Sequence, residues 1–213
     1  MKQNKIVGIT GVTGSGTSTV AKILKQQGGF IIEADKLAHE LMQKGEPTYA
    51  EIVKTFGAEI LNVEGEINRR ALGAMVFGSG NEQRLAELEG IIHPNVIEKT
   101  KHLLNFSANG GYSFAAIDAP LLIESGMNNL CTTVWLIIAT DSTRLKRIQA
   151  RDKITAEAAR LRLKSRPSDT DKTLSTHTNI IIENNSTLAD LQEKVYDACR
   201  KEALYTNFRK ERQ

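Results

Sequence analysis

Residues Gly11-Val12-Thr13-Gly14-Ser15-Gly16-Thr17-Ser18-Thr19 have the spacing of a loop that holds phosphate groups with its backbone. The pattern G-x-x-x-x-G-K-[ST] requires lysine at position 17, where this chain has Thr17. Gly11, Gly14 and Gly16 permit backbone angles and a close approach that a Cβ forbids. The loop N–H groups then form an anion nest, backed by the positive end of the following helix. Ser18 stands where the hydroxyl that ligates Mg²⁺ belongs. The implied chemistry is the seating of a polyphosphate, with one fixed cation missing near its β- and γ-phosphates. The plainer alternative is a glycine-rich strand-to-helix turn that binds nothing. Three glycines, paired hydroxyls and fitting flanks weigh against it.

Two carboxylates and two basic rows fall where such a loop needs company. Asp35 follows the apolar run Phe30-Ile31-Ile32-Glu33, and ligands of open α/β sheets bind beyond the carboxyl ends of strands. A carboxylate there can accept the proton of an attacking hydroxyl. Equally, it can cap a helix starting at Lys36. Asp118 closes the run Ala115-Ala116-Ile117, the placement of a residue that supports Mg²⁺, and Pro120 then breaks the backbone. Glu124 either reaches the same site or faces solvent. Arg144, Arg147 and Arg151 recur at helical spacing, with Arg147 and Arg151 on one face. They read as a solvated basic face or as a phosphate clamp. Arg160, Arg162, Lys164 and Arg166 form a second basic group, so the two together suggest a lid closing on an anion. His39, His93, His102 and His177 show no metal-ligand spacing; His93-Pro94 reads as a turn into the next helix.

The elements that must position these residues alternate between strand and helix, which predicts an α/β protein with a parallel sheet. Strands are expected over residues 5–10, 30–33, 113–118, 133–139 and 179–182. Two of the runs, Val134-Trp135-Leu136-Ile137-Ile138 and Ile180-Ile181-Ile182, are continuously apolar, as in strands covered on both faces. Helices are expected over 18–27, 142–150 and 187–202 after strands, and over 155–165. Between residues 36 and 108 the pattern is helical throughout, with candidates over 36–43, 48–56, 69–77 and 81–104. The organisation is one domain: a core of 1–35, 109–152 and 176–213, a helical insertion 36–108 and a lid 153–175.

Bulk properties agree. The chain has 213 residues and a net charge of +3, against a general nucleic-acid or membrane-surface binder. Cys131 and Cys199 have neither metal nor disulfide spacing and read as buried thiols. Met1-Lys2-Gln3-Asn4-Lys5 runs straight into the first strand, so no signal peptide is expected, and a cytoplasmic location follows.

Taken in order, these landmarks resemble the dephospho-CoA kinases, a family of the phosphate-loop nucleoside and nucleotide kinases. The resemblance runs from Ile6 to about Cys199. It is carried by Gly8-Ile9-Thr10-Gly11 into the loop, Glu33-Ala34-Asp35-Lys36-Leu37-Ala38-His39-Glu40, Phe56-Gly57 and Ile67-Asn68-Arg69-Arg70-Ala71-Leu72. His93-Pro94, Pro120-Leu121-Leu122-Ile123-Glu124, Leu145-Lys146-Arg147, Arg151-Asp152 and Glu183-Asn184-Asn185 continue it.

The resemblance implies a five-stranded parallel sheet and transfer of the ATP γ-phosphoryl group to the ribose 3′-hydroxyl of dephospho-CoA. It implies that Asp35 is the base and that Arg147 lies near the nucleotide. Nucleotide contacts are implied at Gly11, Thr13, Gly14, Ser15, Gly16, Thr17, Ser18, Thr19, Arg147 and Arg151. Acceptor contacts are implied at Asp35, His39, Arg70, His93, Leu121 and Glu124, in and around the insertion, and Mg²⁺ at Ser18 and Asp118. Nucleic acid and membrane are not expected as partners, and the protein is expected to be a monomer or weak homo-oligomer. Three departures stand out: Thr17 for the loop lysine, Arg166 for the lid glutamine of Arg-Ile-x-x-Gln, and Thr178-Asn179 for an Ala-Asp pair. Arg166 is thus a candidate lid cation compensating for Thr17. A silent nucleotide- or CoA-binding paralogue and a kinase for another hydroxyl acceptor are the competing readings.

Overall fold

In the structure, a computed structural model, residues 5–78, 80–164 and 174–204 are described. The chain divides into two compact units, Met1–Ile32 with Leu104–Gln213, and Glu33–Leu103.

The first unit holds the sheet. Its strands are β1 (Lys5–Thr10), β2 (Phe30–Glu33, whose last residue falls in the second unit), β3 (Phe114–Asp118), β4 (Thr133–Ile138) and β5 (Ile180–Glu183), in the order β2-β3-β1-β4-β5. The β1–β3, β1–β4 and β4–β5 pairings are parallel. Parallel strands need crossovers, and helices supply them. Helix α1 (Thr17–Gln26) follows β1, α6 (Asp141–Asp152) and α7 (Ala156–Lys164) follow β4, and α8 (Leu188–Lys201) follows β5. Val7, Ile9, Phe114, Trp135 and Ile137 from the strands bury against Val20, Leu24, Leu191 and Val195 from α1 and α8. Apolar burial of this kind contributes about 1.5–3 kcal/mol per large side chain.

The central runs are buried as expected, but β5 differs. It is the sheet edge, so Ile182 packs inward while Ile181 is 52% exposed. Successive side chains point to opposite faces, and a run of three isoleucines cannot reveal that one face is left partly uncovered at the edge. Cys199 is fully buried; Cys131 is half-buried, and burial pushes its thiol up to about 12.

The second unit is helical: α2 (Ala34–Leu41), α3 (Pro47–Phe56), α4 (Arg69–Val76) and most of α5 (Glu82–Asn109). Ile52, Phe56, Ile60, Leu72, Val76, Leu88 and Ile91 form its own core. The turn expected at His93-Pro94 is absent: α5 continues through Pro94. The proline removes one helix hydrogen bond. Burial of Ile91 and Val96 on either side keeps the helix intact.

Candidate functional site

The loop 11–16 joins β1 to α1. Gly14 and Gly16 have φ of +83° and +106°, which L side chains rarely adopt. Gly16 is the N-cap of α1, no side chain caps the helix, and its first turn carries no acidic residue. Thr17 and Ser18 are the first two residues of that turn.

The loop's carbonyls are held from behind. The Thr13 carbonyl accepts from Arg144 Nε at 2.9 Å. Arg147 Nη1 donates to the carbonyls of Gly14 at 3.4 Å and Ser15 at 3.2 Å. Asn184 Nδ2 donates to the Ser15 carbonyl at 2.7 Å, and its Oδ1 accepts from Arg147 Nη2 at 3.0 Å. Three consecutive carbonyls therefore turn toward three side chains from α6 and the end of β5. Because the peptide is planar, the N–H groups of Gly14 and Gly16 face the opposite way. The Ser15 N–H is used in a turn bond to Val12 at 3.0 Å.

A methyl group on Gly16 would lie 2.2 Å from Asn184 Nδ2. Asn184 is 5% exposed and already bonded. Gly16→Ala therefore combines a left-handed backbone cost of about 1–2 kcal/mol with displacement of that amide. The expected outcome is a lower melting temperature and at least a roughly tenfold weaker affinity for Mg-ATP, read by calorimetry.

Asp118 ends β3 at 8% exposure and pairs in register with Ile9, two residues before the loop. Thr10 Oγ1 donates to the Pro120 carbonyl at 3.3 Å, tying the strand ends together. Leu121 and Glu124 lie in the turns that follow β3, both exposed. Asp35, His39, Arg70 and His93 belong to the second unit. There Asp35 sits in the first turn of α2, whose N-cap is Glu33, so the expectation of an Asp35 cap does not hold. Glu33 itself bonds Lys36 at 2.6 Å. His39 lies one turn beyond Asp35 on the same helix face and contacts Gln43 at 3.3 Å. Arg70 is in the first turn of α4, and His93 is midway along α5.

At the end of α6, Arg151 Nε donates to Asp152 Oδ1 at 2.7 Å, and Asp152 also pairs with Arg162 of α7. The hydrogen bond from Arg151, with the charges of Arg151 and Arg162, holds the Asp152 carboxyl below the usual carboxylate range. A lowered folded-state pKa gives stability that is present at neutral pH and lost as pH falls below about 4. Both arginines are more than half exposed, so the effect is small. Asp152→Asn should melt slightly below the wild type at pH 7, and the gap should narrow as pH falls below about 4. Arg166 lies outside the described residues.

Arg144 and Asn184 hold the loop carbonyls, and neither is among the candidate site residues expected from the sequence. A basic row at helical spacing reads equally as a solvent face or a clamp, whereas Arg144 is 1% exposed. The signal for Asn184 was a polar residue directly after an apolar strand.

The family model CoaE, dephospho-CoA kinase, matches residues 5–190. A dephospho-CoA kinase of Shouchella clausii is 36% identical over 92% of this chain and 98% of its own length. One of Fusobacterium nucleatum is 39% identical over 91% of this chain and 96% of its own. The solved dephospho-CoA kinase from Campylobacter jejuni is similar at a TM-score of 0.67 and 29% identity, covering 94% of this chain and 98% of that one.

Proposed function

The chain belongs to the dephospho-CoA kinase family, and on that premise we propose how its residues divide the reaction between them. The reaction is the last step of coenzyme A biosynthesis: the ATP γ-phosphoryl group passes to the ribose 3′-hydroxyl of dephospho-CoA, giving coenzyme A and ADP. The loop 11–19 seats the ATP phosphates, with Arg147 and Arg151 as further nucleotide contacts. Asp35 accepts the proton as the hydroxyl oxygen bonds to the γ-phosphorus and the bond to the β,γ-bridging oxygen breaks. His39, Arg70, His93, Leu121 and Glu124 contact the acceptor. The observation that carries this division is the outward bonding of the Thr13, Gly14 and Ser15 carbonyls. It leaves the Gly14 and Gly16 amides and the uncapped start of α1 for an anion.

Mg²⁺ usually needs only one or two protein oxygens when phosphates supply others. Ser18 in the first turn of α1 and Asp118 at the end of β3 fit that donor set. Among the described residues no group of three His, Cys, Asp or Glu forms a metal centre of its own. When bound with the nucleotide, the ion neutralises charge on the β- and γ-phosphates. Among the described residues no helix is long and apolar enough to cross a membrane. We assign the enzyme to the cytoplasm, where ATP is the common donor, as a monomer or weak homo-oligomer.

The test is direct. Pure protein incubated with Mg-ATP and dephospho-CoA should yield ADP and coenzyme A in equal amounts. Nucleotide binding without turnover would point instead to a binding paralogue. Turnover only with other hydroxyl compounds would replace the acceptor.

A further inference from the structure

Arg144 has no task in the reaction just described, yet it is a cation at 1% exposure. Burying a guanidinium is costly unless it is paired and fully bonded. Its one ionic partner among the described residues is Asp141, at 2.9 Å from Nη1, and that side chain is 68% exposed. Water screens such a counter-charge strongly. Nη2 is buried and has no hydrogen-bond partner among the described residues. Nε holds the Thr13 carbonyl. The loop also rests on the backbone of Arg144: a Cβ at Gly14 would come within 3.1 Å of its carbonyl oxygen and 3.2 Å of its Cα. A poorly compensated positive charge is thus packed directly behind a loop that lacks its own cation at Thr17.

We propose that Arg144 is a positioning residue for the phosphoryl donor. It fixes the loop through Thr13 and supplies, from behind, a fixed positive charge that takes over part of the role of a lysine at position 17. The inference rests on the reading that this loop seats the ATP phosphates. It does not depend on which acceptor is used.

A mutant cycle tests it: Arg144→Gln and Arg144→Lys, each with Thr17 and with Thr17→Lys. The readouts are KM for ATP, KM for dephospho-CoA, melting temperature and calorimetric affinity for inorganic tripolyphosphate. With Thr17 present, Arg144→Gln should weaken tripolyphosphate binding and raise KM for ATP by about tenfold or more, the scale of one charge-assisted hydrogen bond. KM for dephospho-CoA should move by less than about twofold, which a general loosening of the fold would not allow. Arg144→Lys should recover part of the loss. With Thr17→Lys in place, Arg144→Gln should cost less than about threefold, because one cation then stands in for the other. An equal loss in both backgrounds, or an unchanged tripolyphosphate affinity, overturns the proposal. If Arg144→Gln does not fold, the Arg144→Lys arm of the cycle decides by the same criterion. A wild type that binds tripolyphosphate but leaves dephospho-CoA untouched would sink the assigned acceptor while leaving this inference standing.

Discussion

Asp35→Asn should lower kcat by about 10²–10⁴-fold, the range that one positioned general base supplies. KM for dephospho-CoA and for ATP should stay within a few-fold of the wild type, because the amide keeps the size and one acceptor oxygen of the carboxylate. Stability should barely change. Asp35 lies in the first turn of α2, so losing its charge removes a favourable helix-dipole contact of only about 0.3–1 kcal/mol. The activation penalty corresponds to about 3–5 kcal/mol. The two magnitudes separate a chemical role from a structural one. A variant with full kcat would remove Asp35 from the reaction and leave it as an acidic residue favouring a helix start. Steady-state rates with saturating Mg-ATP, beside a thermal melt, are sufficient.

Thr17→Lys should raise kcat/KM for ATP by about ten- to a hundredfold. The comparator is an arginine finger, worth about 10³–10⁵ in rate. That figure is an upper bound here, because Arg144 and Arg147 already lie against the loop carbonyls. The substitution itself is mild. Thr17 opens α1 and is half-buried, and lysine favours a helix slightly over threonine. The gain should shrink at high salt, because part of it is a charge–charge attraction. An unchanged or reduced kcat/KM would mean that position 17 is not a vacant cation site. The shape of the loop, rather than its charge, would then set the rate.

Some of this protein was determined by local sequence alone. The five strands follow from apolar runs bounded by turn residues, and their observed limits lie within a residue of those expected. The loop was legible because Gly14 and Gly16 must adopt positive φ, a demand that the local sequence states by itself. The position of Asp118 at the end of β3 was legible too, because it closes an apolar run.

Other features were decided only by tertiary packing. Helix α5 runs through Pro94 because burial on both sides outweighs one lost hydrogen bond. Ile181 is half-exposed because it points to the face opposite Ile182, and at the sheet edge that face is left partly uncovered. Above all, helical periodicity placed Arg144 and Arg147 in one basic row without telling solvent from the back of a loop 131–133 residues away in sequence. Asn184 reaches Ser15 across 169 residues. Periodicity reports which side of a helix a residue takes. What lies opposite that side depends on which strands the sheet sets next to one another, and here the β1–β4–β5 adjacency brings three side chains behind the loop.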